Sequence, residues 1–258
     1  MRLTTVGTGT ASPSPMRVNA GHLIEAGDVR LLLDCGSGVA HRMASLGLDW
    51  LGITHIGLTH FHLDHILDLP TLFYAWRFGI LPPREEPVVV IGPPGTAALL
   101  DRFDDLIGGA PKLQTLGFSV TVHEIVDRTP FDIGSGLSIE TLKVPHTAES
   151  VAYSVSRGGR RIVYTGDTGP DEGLARWAAG SDILLAECSL PESLAIPTHL
   201  TPERCGALAA AAKPERLVLT HFFPPAEEAP VTEIVARQFD GSCVLASDGW
   251  SIELEEMT

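Results

Sequence analysis

Residues 59–65 read THFHLDH, and this segment constrains the fold and the chemistry of the chain more than any other. It places His60, His62, Asp64 and His65 within six positions. A strand predicted at 55–59 comes before these residues, and an amphipathic helix predicted at 65–78 begins with the last of them. Because α/β folds place their sites where strands open into loops, we expect these side chains to form one site.

The residue types in this segment indicate a metal centre. Three imidazoles and a carboxylate close together would repel one another, or would be costly to bury, without a cation. Neutral imidazole and carboxylate are good ligands for zinc. In extended backbone His60 and His62 can point the same way, whereas Asp64 and His65 are adjacent and can face a second centre nearby. A satisfied polar turn without an ion is the alternative interpretation.

Three further candidate ligands each follow a predicted strand later in the chain. His146 lies in KVPHT, Asp167 in VYTGDTG and His221 in LVLTHFFP. A lone histidine is usually a surface or core residue, so each signal alone is weak. A series of strand-terminal ligands in this order indicates a metal centre more strongly than any one of them.

Strand and helix patterns alternate along the chain. The predicted strands cover residues 3–6, 22–25, 29–33, 55–59, 88–91, 119–125, 137–144, 151–156, 161–165, 183–187, 217–220, 243–246 and 251–254. The predicted helices cover residues 38–46, 65–78, 96–106, 172–179, 202–212 and 231–239, with Thr201 as the N-cap before Pro202. This order predicts two packed sheets with helices outside, a four-layer α/β sandwich forming a single domain over residues 1–258.

Composition narrows the class of protein. Hydrophobic residues make up 44% of the chain and charged residues 19%, which allows a sizeable core. The formal net charge of −14 gives no general attraction for polyanions, so any contact with nucleic acid would be local. The four cysteines form no CxxC pair, and we interpret them as reduced core thiols. Without a signal-peptide pattern or an apolar run of roughly 20 residues, we expect a cytoplasmic protein with no membrane contact.

The HxHxDH segment, with a His, an Asp and a His following in chain order, resembles the signature of the metallo-β-lactamase-fold superfamily of binuclear hydrolases. The resemblance extends from VGTGTASPSP and LLLDCGSG to ASDGWSIEL near the end. It implies an αβ/βα sandwich with two divalent metal ions at one sheet edge, zinc first and Mn²⁺ as the alternative. It also implies a hydroxide between the metals as the nucleophile.

The resemblance further implies a role for each candidate ligand. One ion would be held by His60, His62 and His146, and the other by Asp64, His65 and His221. Asp167 would bridge the two ions, and Asp64 also counts among the predicted catalytic residues. Asp34, in LLLDCGSG, falls at another motif of the superfamily. We interpret it as a support for the ligands or, equally, as an Asx-type turn before Gly36.

The segments LLAECSL and THLTPERCGALAAAAKPERLVLTHFFP resemble ribonuclease Z and its phosphodiesterase relatives. In that branch a Glu of a HEAT-like segment orients a His that precedes a helix. The matching positions are Glu187 and His199, although the motif reads AECS here. The resemblance implies that His199 is a general acid and that Glu187 holds its tautomer, and such a pair supplies a proton near neutral pH. The alternative is that His199 only caps or packs at the start of the helix.

One departure from ribonuclease Z bears on the substrate. That enzyme carries a long arm between its third and fourth metal motifs that grips tRNA, whereas twenty residues separate His146 from Asp167 here. We therefore expect a phosphodiesterase for a small or flexible phosphodiester, with tRNA 3′ processing as the runner-up. A lactone or thioester hydrolase, and a metal-binding regulatory protein without activity, are further alternatives. A homodimer is expected from the resemblance alone.

The remaining polar residues carry weaker predictions. Arg17 and Asn19, in a Gly-rich loop that lacks the ending of a phosphate-binding loop, are candidates for substrate contact. We interpret the other histidines as structural, namely His22, His41, His55 and His123.

Overall fold

The computed structural model describes residues 1–106, 116–125 and 127–256, and the strands within them form two sheets. The first sheet consists of β1 (Arg2–Gly7), β2 (Gly21–Ala26), β3 (Val29–Leu33), β4 (His55–Gly57), β5 (Val88–Gly92), β6 (Val120–Glu124) and β14 (Ser251–Glu253). Their spatial order is β14-β1-β2-β3-β4-β5-β6, and β3 to β6 run parallel to one another.

The second sheet is built from the other half of the chain. It consists of β7 (Phe131–Gly134), β8 (Leu137–Lys143), β9 (Val151–Arg157), β10 (Arg160–Tyr164), β11 (Ile183–Glu187), β12 (Arg216–Thr220) and β13 (Ser242–Leu245). Their order is β13-β12-β11-β10-β9-β8-β7, and β10 to β13 are parallel. The carboxyl ends of these parallel strands therefore open at one edge of the sheet.

Helices cover the outer face of each sheet. In chain order they are α1 (Val39–Ser45), α2 (Leu63–Ile66), α3 (Asp68–Phe78), α4 (Thr96–Leu106), α5 (Glu172–Trp177), α6 (Pro202–Ala212), α7 (Pro224–Glu227) and α8 (Val231–Val235). Buried residues of α1, α3 and α4 pack on the first sheet, those of α5, α6 and α8 pack on the second, and a third core lies between the sheets. The predicted four-layer αβ/βα sandwich is confirmed. In the described residues, no helix has both the length and the apolar character needed to cross a bilayer.

The prediction of one continuous helix over 65–78 is wrong. The chain forms two helices there, α2 and α3, with Leu67 between them. Pro70 explains the break, because it has no N–H to donate to the carbonyl of Ile66, four residues earlier. The N–H of Asp68 donates to the carbonyl oxygen of Cys35 at 2.9 Å. This hydrogen bond holds the start of α3 against the loop after β3.

One strand was not predicted from the sequence, and other strands are shorter than predicted. β7 was not predicted, because its four residues are half polar and too short for a clear alternation; it pairs with β8 through Phe131 opposite Ile139. β4 ends at Gly57 rather than at residue 59, because the N–H of Thr59 donates to the Asp34 carboxylate at 2.8 Å and not to a neighbouring strand. This early end releases residues 59–65 from the sheet.

Trp76 is the largest fully buried side chain, and it anchors α3 on the first sheet. Its ring lies 5.8 Å from that of Phe118, and the Arg84 guanidinium lies 4.4 Å from the ring centroid. We expect Trp76→Ala to lower the free energy of unfolding by about 3–5 kcal/mol, measured by denaturant titration. Tyr74→Ala, on the exposed side of the same helix, is the control and should change it by no more than about 0.5 kcal/mol. Equal losses in both variants would contradict this assignment of the core.

Candidate metal centre

The predicted ligands lie at the carboxyl ends of strands from both sheets. Residues 60–65 follow β4, His146 follows β8, Asp167 follows β10 and His221 follows β12. Strand β8 runs in the same direction as β10 because each is antiparallel to β9. All of these ends therefore open at the same edge of the sandwich, and the structure brings the seven side chains together there.

The first group of side chains consists of His60, His62, His146 and Asp167, whose ligand atoms all lie within 4.8 Å of one another. His62 Nδ1 lies 3.1 Å from His146 Nε2. The His60 ring is fully buried, whereas His62 is exposed, so the group is reached from the side of His62.

The second group consists of Asp64, His65 and His221, again with ligand atoms within 4.8 Å of one another. His65 Nε2 lies 3.3 Å from His221 Nε2, which in turn lies 3.4 Å from Asp64 Oδ2. His221 has a left-handed backbone with φ of 59°, a conformation that is rare for a residue other than glycine and clusters at functional sites.

Asp167 lies between the two groups and presents one oxygen to each. Its Oδ2 is 3.9 Å from His60 Nε2 and 3.8 Å from His146 Nε2. Its Oδ1 is 3.3 Å from His65 Nε2 and 3.4 Å from His221 Nε2. This is the placement that a carboxylate bridging two cations requires.

The electrostatics of the first group fit a bound cation. In the described structure His60 Nε2 and Asp167 Oδ1 are buried without a hydrogen-bond partner, which is costly unless something else satisfies them. Burial, together with His65, lowers the pKa of His60 to about 2, so this imidazole stays neutral, as a metal ligand must. Burial opposes the ionised form of Asp167, but His221 and His65 outweigh it and hold its pKa well below the usual range.

The outward nitrogens of two candidate ligand histidines, His65 and His146, are held by Asp34 and by a loop carbonyl. Burial opposes a charge on His65, but Asp167 and Asp34 outweigh it and raise its pKa; its Nδ1 lies 2.8 Å from Asp34 Oδ2. His146 Nδ1 lies 2.9 Å from the carbonyl oxygen of Thr198. Such partners set the tautomer and the ring orientation of a ligand and leave Nε2 for the metal.

Two hydroxyl groups lie in the same way behind two other candidate ligands, His60 and His221. Thr59 Oγ1 lies 3.0 Å from His60 Nδ1, and Ser189 Oγ lies 3.0 Å from His221 Nδ1. Neither hydroxyl was predicted from the sequence. Thr59 directly precedes the motif and Ser189 ends the AECS segment, so adjacency to a predicted site residue was the available signal.

His199 and Glu187 form a pair beside both groups. His199 Nδ1 lies 2.9 Å from Glu187 Oε1 and 4.0 Å from Asp167 Oδ2. Burial alone would lower the pKa of His199, but the hydrogen bond and the charge of Glu187 outweigh it and raise the pKa above its ordinary value. Because Nδ1 donates to the carboxylate, Nε2 is the nitrogen left to exchange a proton with a ligand. The alternative in which His199 caps a helix does not fit, because Thr201 caps α6 by accepting from the N–H of Arg204.

Asp34 supports the ligands. Its carboxylate accepts hydrogen bonds from His65, from the N–H and hydroxyl of Thr59, and from Tyr164 Oη at 2.9 Å. Its backbone is left-handed, with φ of 57°, which turns the chain sharply after β3. Position 36 in the same turn requires glycine, because a Cβ there would stand 1.9 Å from the carbonyl oxygen of Asp64.

The weaker candidates have partners within the protein. Arg17 pairs with Glu227 and donates to Thr8 and to the carbonyl of Ala246, and Asn19 donates to Thr10. These contacts brace the loop between β1 and β2. His22 is buried behind the site with its ring 4.7 Å from that of Tyr164, and the structure places it outside both groups. All four cysteines are free thiols; Cys35, Cys188 and Cys205 are buried as expected of core residues, whereas Cys243 is only partly buried.

Comparison with known proteins identifies the family. The model of the β-lactamase superfamily domain matches residues 29–222. Ribonuclease Z of Mycobacterium avium (strain 104) is 29% identical over 281 residues, which covers 99% of each chain. Ribonuclease Z of Mycobacterium marinum is 30% identical over 284 residues, covering 98% of this chain and 99% of the relative.

Solved structures show the same fold over the whole chain. The human tRNase Z short form is 26% identical with a TM-score of 0.78, covering 99% of this chain and 100% of that one. The metallo-β-lactamase-fold protein YhfI from Bacillus subtilis has a TM-score of 0.83 at 22% identity, covering 97% and 98%. The chain is therefore a metal-dependent hydrolase by fold and site. It belongs to the metallo-β-lactamase-fold superfamily, in the branch that contains ribonuclease Z and related phosphodiesterases.

Proposed function

We propose that the protein hydrolyses phosphodiester bonds with two divalent metal ions. Zinc is the metal that we expect, and Mn²⁺ is the alternative. The observation that carries the proposal is the His199–Glu187 pair, whose histidine lies 4.0 Å from Asp167 at the junction of the two ligand groups. A phosphodiester has an alkoxide leaving group, which needs a proton, and a histidine beside the metal groups can supply it. A thioester releases a thiolate, which leaves with less need of such a donor, so the pair favours a substrate with an alkoxide leaving group, as in a phosphodiester.

The seven predicted ligands would hold the metal ions. His60, His62 and His146 would bind one, Asp64, His65 and His221 the other, and Asp167 both. Two bound divalent cations supply Lewis acidity and a nucleophilic water at neutral pH. Because the outward nitrogens of four histidines are already hydrogen-bonded, the ligands are oriented before an ion binds, which lowers the cost of organising the site.

His199 would act on the leaving oxygen. The Glu187 carboxylate fixes its Nδ1–H and favours the protonated ring, so Nε2 carries a proton that can be transferred. As the P–O bond breaks, the leaving alkoxide takes that proton and departs as the alcohol, and the neutral ring is protonated again from solvent. Glu187 itself is fully buried, so it positions His199 and does not touch the substrate.

Processing of tRNA 3′ ends is the second candidate function, and the named relatives favour it. The alignments with the two mycobacterial ribonucleases Z span 281 and 284 positions and cover 99% of each relative. The similarity therefore extends over nearly the whole of both chains and is not confined to the metal motifs.

Charge favours a small or flexible phosphodiester. Specific binding of a folded RNA rests on several Lys or Arg contacts to phosphates, which make affinity fall steeply with salt. The chain carries 18 Lys and Arg against 32 Asp and Glu, and Arg17 beside the site is paired with Glu227. Because the chain has few cationic side chains, the metal ions would neutralise most of the negative charge of the substrate. Two metal ions are enough for a substrate with one or two phosphates.

The two substrates can be compared directly with one metal-loaded preparation at one ionic strength. We expect measurable hydrolysis of bis(p-nitrophenyl) phosphate and cyclic nucleotides, and weak binding of folded pre-tRNA in a filter-binding assay. A lactone and a thioester serve as controls for the reaction class and should not be hydrolysed. Site-specific cleavage of pre-tRNA with little activity on small diesters would make the second candidate the function. Hydrolysis of the lactone or thioester alone would contradict phosphodiester chemistry altogether.

A further inference from the structure

The Ser189 hydroxyl lies where the candidate ligand His221 meets the His199–Glu187 pair. Its Oγ is 3.0 Å from His221 Nδ1 and 3.2 Å from His199 Nδ1, and it contacts Glu187 Oε2. We propose that Ser189 is a positioning residue that fixes His221 for metal binding and ties it to Glu187. One buried carboxylate would then orient both the second ligand group and the proton donor. The link to His199 rests on the proposed function, whereas the link to His221 rests on the metal centre alone.

The direction of each hydrogen bond follows from what the groups can donate. An ionised carboxylate only accepts, so the Ser189 hydroxyl donates its single proton to Glu187 Oε2. Its oxygen then accepts from His221 Nδ1–H, which sets the tautomer of that ring. His221 Nε2 is left with its lone pair 3.4 Å from Asp64 Oδ2 and 3.4 Å from Asp167 Oδ1, inside the second ligand group. Without Ser189 the opposite tautomer, which cannot bind a metal through Nε2, would no longer be excluded.

Glu187 is held firmly enough to act as the fixed point of this chain of hydrogen bonds. Its side chain is fully buried and also accepts from the backbone N–H of Thr168 at 2.6 Å and of Leu200 at 3.2 Å. Those two residues directly follow Asp167 and His199 in the chain. The carboxylate therefore fixes the loops on which the bridging carboxylate and the proton donor stand. Through Ser189 it extends the same control to His221.

The first sheet contains the same arrangement. There Thr59 Oγ1 lies 3.0 Å from His60 Nδ1 and 2.9 Å from Asp34 Oδ2, and Asp34 also binds His65 directly. In each half a carboxylate holds one histidine directly and a second through a hydroxyl. Two independent occurrences at one site indicate a means of fixing ligands rather than a chance contact. The two halves differ in the histidines that are held. Asp34 holds two predicted ligands, His60 and His65, whereas Glu187 holds one predicted ligand, His221, and the proposed proton donor His199.

The test is the metal affinity of Ser189→Ala, measured by titrating metal-free protein with Co²⁺ and following the ligand-field absorption. Loss of a hydrogen-bond partner behind a ligand typically weakens metal binding about 10–100-fold. We expect that loss at one of two binding steps, with the other step unchanged. Ser189→Thr keeps the hydroxyl and should restore the affinity. The matched control is Ser181→Ala, which removes a buried hydroxyl that has no hydrogen-bond partner in the described structure and should leave both steps unchanged.

Two results would overturn the proposal. One is that both binding steps of Ser189→Ala match those of the native protein. The other is that Ser189→Thr folds, as shown by thermal unfolding of the metal-free protein, but binds as weakly as Ser189→Ala. If Ser189→Thr does not fold, the comparison of Ser189→Ala with Ser181→Ala decides. The titration needs no substrate, so a protein that shows the affinity loss but no phosphodiesterase activity would contradict the proposed function and support the role of Ser189.

Discussion

His199→Ala should lower turnover of a phosphodiester with an alkyl alcohol leaving group by about 10²–10⁴-fold, as expected for loss of a positioned general acid. It should retain both metal ions, because His199 Nδ1 donates to Glu187 and each of the two ligand groups keeps its own residues, although His199 also lies within 4.8 Å of Asp167 and His221. Diesters that release p-nitrophenolate should lose less, because that anion leaves without a proton. Steady-state rates for both leaving groups, together with elemental analysis of the same preparation, measure these effects.

Two comparisons make the His199 prediction specific. His41→Ala removes an exposed histidine of α1 outside both ligand groups, and its rates should match those of the native protein. Glu187→Gln keeps the shape of the orienting side chain but removes its charge, so it should give a smaller loss with the same dependence on the leaving group. Equal losses for acidic and basic leaving groups would rule out His199 as the proton donor. Loss of metal from His199→Ala would make it a ligand or a support for one.

Asp167→Ala should reduce the affinity for both metal ions. Each ligand group faces one of the two carboxylate oxygens, at 3.3 Å from His65 Nε2 and 3.8 Å from His146 Nε2. We expect each dissociation constant to rise by more than the roughly 10–100-fold that loss of an outer hydrogen bond costs, and turnover at limiting metal to fall accordingly. Native protein loaded with excess metal should hold about two ions per chain, and the variant should hold fewer after the same dialysis.

Asp171→Ala is the matched control for Asp167. Asp171 stands four residues further along the same loop and caps α5 by accepting from the N–H groups of Gly173 and Leu174. Its loss should cost stability by about 1 kcal/mol while leaving both metal affinities unchanged. Asp167→Asn keeps one oxygen, so it should weaken one binding step more than the other. If Asp167→Ala weakened only one step, the bridging role would be excluded, although the two ligand groups would still stand.

The sequence by itself determined the residue types at the candidate site and the layered class of the fold. Segment 59–65 combines spacing and residue types that imply a cation wherever the chain places them, because neighbouring imidazoles and carboxylates are unfavourable without one. Alternating strand and helix patterns were enough for two sheets with outer helices. The pattern was misread at Leu67, where Pro70 interrupts a segment that is otherwise helical, and at β7, whose four residues are too short for a clear alternation.

Only the tertiary structure decided which side chains meet and what stands behind them. His65 and His221 are 156 positions apart in the chain, yet their Nε2 atoms lie 3.3 Å apart because β4 and β12 open at the same edge of the sandwich. Thr59, Ser189 and Tyr164 carry no metal-ligand chemistry of their own, so no motif singles them out. They act through hydrogen bonds to Asp34 and Glu187, whose strands lie in different sheets. Hydrogen bonds act over about 3 Å, so their partners are fixed by strand order and register, which residue spacing alone does not encode.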